Sequence, residues 1–217
     1  RLSMLYKNIY EVATTPQIWI CGLVGAALWM PVQILGDYGS KLMPLWYHIT
    51  GSDKQIIEIS QTMTIMVSLG FLVGAPISGF LATRYNKLRF QLNLSCFISA
   101  IWLGFLIYFP MHNLLLADLF LFILGLIISS QVLVFALSTF SVQKRLTASA
   151  VALTNMIVML PGLLESYFDK PLQNNQTTVF SGSGAEQTLL AIPIALFICF
   201  LLTFLIRTVS QNDQHTA

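Results

Sequence analysis

One stretch of 25 consecutive residues, 59–83, carries no charged side chain. A helix needs about 20 apolar residues to cross a bilayer, so this stretch is long enough to span a membrane. Within it, Gly70, Gly74, Ser78 and Ala82 recur every fourth residue and therefore line one narrow face of a helix. A face of small residues lets a second backbone approach closely, and close packing is what joins helices in lipid. The stretch predicts a membrane-spanning helix that packs through this face, with helix-packing roles for Gly70, Gly74 and Ser78.

The composition extends this prediction to the whole chain. Of the 217 residues, 56% are hydrophobic and 9% are charged, whereas soluble domains carry about 25% charged residues. This excludes a soluble globular domain and predicts an all-α polytopic membrane protein. The net charge of +2 gives no indication of nucleic acid binding. Each of the three cysteines falls in an apolar run, which favours buried packing residues over disulfides or metal ligands, and we expect no cofactor.

The apolar runs divide the chain into six predicted spans. Residues 1–15 form an amphipathic segment with helical spacing of its apolar residues, and residues 207–217 form a polar tail. The six-helix transmembrane bundle covers residues 16–206, with predicted spans at about 16–38, 58–83, 90–109, 114–140, 147–164 and 189–206.

The basic residues are unequally distributed between the two sides that six spans define. Eight lie on the side of the termini and three on the other, which predicts cytoplasmic termini. The eight are Arg1, Lys7, Arg84, Lys87, Arg89, Lys144, Arg145 and Arg207, and the three are Lys41, Lys54 and Lys170.

The hinge after the second span, GFLATRYNKLRF, resembles the signature loop of the major facilitator superfamily (MFS), G-x-L-A-D-R-x-G-R-K. Thr83 stands in place of the family's Asp and Asn86 in place of its second Gly, as is common in the C-terminal half of such proteins. The first span, TPQIWICGLVGAALWMP, is similar to the family's seventh helix, and TASAVALTNMIVMLPGLLESYFD to its eleventh. The matching positions in the loop are Gly79, Leu81, Ala82, Arg84 and Lys87.

The resemblance implies the C-terminal half of an MFS permease of bacterial type, with helices seven to twelve arranged as two inverted three-helix repeats. It also implies an N-terminal six-helix half as partner, a small-molecule substrate, alternating access driven by a proton or solute gradient, and a place in the bacterial inner membrane. Since the chain begins with Arg1, we expect a fragment or a processed half. The alternative is a six-helix membrane scaffold without transport activity. No phosphate-binding loop, paired-His zinc motif or nucleophile–base arrangement indicates an enzyme.

Polar residues on the first span carry the main site hypothesis, because such residues are costly inside a membrane. Trp29, Gln33 and Asp37 follow steps of four on the same face as Gly22 and Ala26. We predict that Trp29 and Gln33 contact substrate and that Asp37 gates or titrates at the outer mouth. The alternative for Asp37 is an interfacial carboxylate in contact with water.

Three further polar residues fall within later spans. Asp118, one turn inside the outer boundary of the fourth span, is a second gating or proton candidate, with an interfacial carboxylate as the alternative. Gln131 and Asn155 lie deeper and are substrate-binding candidates. For both, a hydrogen bond to a neighbouring helix is the competing interpretation.

Overall fold

A computed structural model describes residues 2–47, 49, 51–109, 111, 113–164 and 184–207. In these ranges all regular structure is helical. The predicted tail beyond residue 207 and most of the loop after the fifth span lie outside the described residues.

The helices, in chain order, are separated by short connections. They are α1 (Leu2–Ala13), α2 (Pro16–Trp46), α3 (Asp53–Tyr85), α4 (Leu88–Tyr108), α5 (Leu114–Ile128), α6 (Leu133–Thr139), α7 (Thr147–Val158) and α8 (Gly184–Thr203). Short 3-10 turns cover Ser129–Val132, Lys144–Leu146 and Leu160–Leu164.

Five stretches of helix are long and apolar enough to cross a membrane: Pro16–Gly39, Asp53–Tyr85, Leu88–Tyr108, Leu114–Thr139 and Lys144–Leu163. The chain is therefore an all-helical protein with the features of an integral membrane protein. The sixth predicted span, 189–206, corresponds to a shorter apolar helix, Leu189–Thr203.

The predicted loop after the first span is wrong in its first half. Helix α2 continues to Trp46 with Pro31 and Pro44 inside it, so residues 39–46 are helical. Gly39 packs tightly against Thr64 of α3, and its added Cβ would clash with that side chain. This tertiary contact stabilises a helix that the local pattern of Gly and Pro does not predict.

The helices pack in specific pairs. In chain order the six predicted spans correspond to α2, α3, α4, α5 with α6, α7, and the shorter α8. The most extensive contacts join α3 to α5, α4 to α8, α2 to α7 and α2 to α3. These pairs have an internal symmetry. If the first three predicted spans are exchanged in order with the last three, α2 takes the place of α5, α3 that of α7 and α4 that of α8. The α2–α7 pair then becomes the α3–α5 pair, and the α4–α8 pair is unchanged.

Direct contacts bring the helix ends with basic residues together at one end of the bundle. Gln17 at the start of α2 donates hydrogen bonds to the carbonyls of Leu137 (3.1 Å) and Arg207 (3.0 Å). Arg89 at the start of α4 donates to the Phe204 carbonyl at 2.6 Å. We call this the basic end, and the opposite one the far end.

Helix α1 is docked on the bundle at the basic end. Its Val12 forms a small buried core with Ile18 of α2, Leu146 of the 3-10 turn before α7, and Ala150 of α7. Glu11 pairs with Arg145 at 2.9 Å, which ties α1 to the turn before α7.

Candidate functional site

The α2 face that carries the site hypothesis changes from packed to open along its length. An added Cβ at Gly22 would contact Ile157 of α7 at 2.7 Å, and Ala26 is 7% exposed. Trp29 is half-buried and makes an edge-to-face contact with Phe71 of α3, with ring centroids 5.6 Å apart. Asp37, two turns further, is exposed. The face is therefore a helix contact at the basic end and accessible towards the far end.

Gln33 lies at the transition between these two regions. Its side chain is half-buried, and its Oε1 is buried without a hydrogen-bond partner among the described residues. A buried amide oxygen without a donor costs about 1–3 kcal/mol, so such atoms are rare without a ligand or water. Gln33 therefore presents an acceptor that the protein itself leaves unused.

Asp118 on α5 presents a second such acceptor near the far end. The residue is half-buried, and its Oδ1 is buried without a described partner. Burial, and after it the negative charge of Asp118, raises the pKa of the phenol of Tyr47, the residue that caps the C-terminus of α2. The extension of α2 beyond the predicted span thus places this phenol within the electrostatic influence of the carboxylate.

The small-residue face of α3 lies directly against α5. Gly70 contacts the backbone of Phe122, and its added Cβ would meet the Gly125 Cα at 3.1 Å. An added Cβ at Gly74 would meet the Leu126 Cα at 3.0 Å. Backbones approach this closely only where at least one of the two facing residues lacks a side chain. We call this contact of α3 with α5 and the following turn the α3–α5 seam.

Hydroxyl groups continue the seam towards the basic end. Ser78 shares hydrogen bonds with the hydroxyls of Ser129 (3.0 Å) and Ser130 (3.3 Å), and all three residues are buried. Gln91 of α4 donates to the Ser78 carbonyl at 3.1 Å. The described polar side chains of the seam therefore satisfy one another.

Gln131 and Asn155 occupy different environments. Gln131 is 4% exposed and lies on the 3-10 turn that separates α5 from α6. Asn155 is exposed on α7, whereas its neighbour Thr154 is fully buried with an Oγ1 that has no described partner. The structure places Trp29, Gln33 and Asp118 on helices that contact one another, and it does not direct Asn155 towards them.

The signature-like hinge has a specific backbone requirement. Asn86 ends α3 with φ 50° and ψ 39°, a left-handed conformation. Glycine adopts this conformation most readily, and Asn is the side-chain-bearing residue that tolerates it best. Gly79 has open space around it, and Arg84 and Lys87 are exposed. The substitution of Asn for the motif's second Gly therefore preserves the local geometry.

Sequence reasoning missed several residues that the structure places in these regions. The sequence pattern indicates no site role for Tyr47, Ser129, Ser130 or Thr154. Serine and threonine are common in apolar helices, so no sequence signal separates a bridging hydroxyl from one that bonds its own helix. In the described part of the chain, no three His, Cys, Asp or Glu residues come together to hold a metal.

No protein-family model, curated protein or solved structure matches this chain. The functional assignment therefore depends on the geometry and on the sequence resemblance described above.

Proposed function

We propose that this chain is a six-helix half of a secondary active transporter of the MFS type, which moves a small solute by alternating access under a proton or solute gradient. The observation that carries the proposal is the pairing of the spans. Secondary transporters are commonly built from inverted repeats, and the binding site lies where the repeats meet.

The pairing has the form that two inverted three-helix repeats require. The α2–α7 and α3–α5 contacts exchange when the two sets of spans are exchanged, and α4–α8 maps onto itself. The finer assignment that we propose, a half-bundle with a sixth span at α8, is supported by this pairing and by the resemblance at the Asn86 hinge.

The candidate site residues lie on equivalent helices of the two sets. Trp29, Gln33 and Asp37 are on the first span of the first set, and Asp118 is on the first span of the second. Gln33 and Asp118 each keep a buried oxygen without a described partner. In an apolar span such atoms favour a water-filled cavity or a ligand over contact with lipid. We assign Trp29 and Gln33 to substrate contact, and Asp37 and Asp118 to gating or proton binding.

The exposed sides of α3 and α7 offer the partner half a docking surface on the bundle. Only 28% of the apolar part of α3 and 33% of the Lys144–Leu163 span are buried, against 67% for α2. The repeat exchange also relates α3 and α7 to each other. A second six-helix half that docks along α3 and α7 would enclose the face of α2 between the two halves.

Uptake by the full-length protein in proteoliposomes, measured over a panel of labelled solutes with and without a proton gradient, tests the proposal. We expect one solute class to accumulate. Gln33→Ala should then lower its apparent affinity about fivefold, the value of one hydrogen bond of about 1 kcal/mol.

Gly104→Ala is the matched control, because no atom lies within 4 Å of the added methyl group, and its uptake should equal that of the wild type. Asp37→Asn should alter the pH dependence of uptake if protons couple there. Folded protein that accumulates no solute under any gradient, together with stable recruitment of another membrane protein, would favour the scaffold alternative.

A further inference from the structure

A groove lies at the basic end of the bundle, between α1 and the first turns of α7. Its volume is about 510 Å³, within the range of about 300–1,000 Å³ that small-molecule sites occupy. The apolar part of its lining includes Ile9, Leu153 and Met156, and its polar part is Asn8 and Ser149. The groove therefore combines an apolar floor with polar groups.

Polar contacts between α1 and the start of α7 hold the groove in place. The guanidinium of Arg145 donates to Glu11 Oε2 at 2.9 Å, to Gln143 Oε1 at 2.8 Å and to Asn8 Oδ1 at 3.5 Å. The buried core of Val12, Ile18, Leu146 and Ala150 lies beneath these contacts. Because both polar and apolar contacts fix α1, the groove is a built feature of the fold.

The charge around the groove is positive at the end where α1 meets Arg145. Lys7 precedes Asn8 and Lys144 precedes Arg145, and both lysines are exposed. Arg145 is paired with Glu11, so the exposed Lys7 and Lys144 give this part of the chain a net positive charge. The α7 side of the groove, from Ser149 to Met156, lies inside a candidate membrane span, Lys144–Leu163. An occupant has to offer a hydrocarbon chain at membrane depth and negative charge at the membrane surface.

We propose that this groove binds an anionic phospholipid from the leaflet at the basic end. One acyl chain lies along Ile9, Leu153 and Met156, and the phosphate lies near Lys7, Lys144 and Arg145. Basic pockets beside membrane helices recognise anionic head groups in this way, while the apolar floor replaces contact with neighbouring lipid. The proposal does not depend on transport activity.

Native mass spectrometry of the full-length protein tests the site. The protein, in a neutral detergent, is mixed with equal amounts of phosphatidylglycerol and phosphatidylcholine that have identical acyl chains. The detergent is then removed in the mass spectrometer, and the lipids that stay bound are identified. We expect the wild type to retain one phosphatidylglycerol in preference to phosphatidylcholine. Ala152→Phe, which fills the groove, should lower this retention at least tenfold. Ala191→Phe places the same bulk at an exposed position of α8 and should not change it.

A second pair of variants tests the charge without changing the packing. Lys7→Gln with Lys144→Gln should reduce the preference for phosphatidylglycerol by about fivefold for each charge removed. Arg84→Gln with Lys87→Gln removes the same charge at another hinge of the basic end and should leave the preference intact. Equal retention of phosphatidylglycerol by Ala152→Phe and the wild type would contradict the proposal that the lipid binds in this groove. An unchanged lipid preference in the lysine variant would overturn the head-group assignment.

Discussion

Two polar regions of this bundle contrast in how their hydrogen bonds are completed. In the α3–α5 seam, Ser78, Ser129 and Ser130 bond to one another at 3.0 and 3.3 Å. Nearer the far end, Gln33 and Asp118 each keep a buried oxygen without a described partner. Both regions lie in apolar spans where unused polar groups are costly. Helix packing accounts for the polar groups of the seam. The buried oxygens of Gln33 and Asp118 are accounted for only if water, a ligand or another part of the protein binds to them.

The two regions also differ in how closely the helix backbones approach each other. Gly70 and Gly125 bring α3 and α5 into backbone contact, and there is no space at this point for any ligand. Trp29 and Gln33 lie where α2 becomes accessible, beside the aromatic ring of Phe71. The seam is therefore a structural contact, and the α2 face is the region in which we propose that substrate binds.

Breaking the seam should have the largest effect on stability. Gly74→Leu places a side chain against the backbone at Leu126 and the side chain of Ser129, and overpacking of this kind costs about 1–3 kcal/mol or more. We expect a lower yield of monodisperse protein and a lower midpoint of thermal unfolding in detergent. Gly104→Leu, at a glycine with open space around it, should change the free energy of unfolding by less than about 0.5 kcal/mol. Equal stability of the two variants would show that α3 and α5 are not in contact there.

Replacing the Asp118 carboxylate by an amide should raise the stability of the protein, which is the opposite of the effect expected in the seam. Asp118→Asn keeps the shape and removes a charge whose Oδ1 has no described donor, so we expect stability to rise by about 1 kcal/mol. The control is Asp53→Asn, in the first turn of α3, where a negative charge favours the helix and its loss should cost about 0.3–1 kcal/mol. Thermal unfolding of both variants measures the difference. A loss of stability in Asp118→Asn would mean that the carboxylate is a structural group like those of the seam.

The hydroxyl contact of the seam should contribute a smaller, specific term. A double-mutant cycle of Ser78→Ala and Ser129→Ala should give a coupling of about 0.6 kcal/mol, the average for hydrogen bonds between membrane helices. Ser60, whose hydroxyl donates to its own helix at Ile56, provides the control pair with Ser129 and should show no coupling. A coupling of zero between Ser78 and Ser129 would mean that their hydroxyls do not bond to each other. The seam would then not differ from Gln33 and Asp118 in how its hydrogen bonds are completed.

Much of the fold could be predicted from apolar runs and small-residue spacing, because a bilayer restricts the chain to helices. The extension of α2 to Trp46 could not, since it depends on the contact of Gly39 with Thr64 and not on local propensity. The polar residues of the site could be selected by type, but their hydrogen-bond status could not. Whether Gln33 or Ser78 finds a partner is decided by the neighbouring helix, which the sequence does not identify.

Reactivity of single cysteines towards a charged, membrane-impermeant thiol reagent tests the contrast most directly. The native Cys21, Cys96 and Cys199 are buried and provide a low baseline. If the α2 face lines an aqueous cavity, as we propose, Gln33→Cys reacts and Ser78→Cys in the seam does not. Ile101→Cys, at a position that is 58% exposed on α4, reports a lipid-facing surface and should also stay unreactive. A Gln33→Cys variant that reacts no faster than Ser78→Cys and Ile101→Cys would contradict a transport pathway along α2.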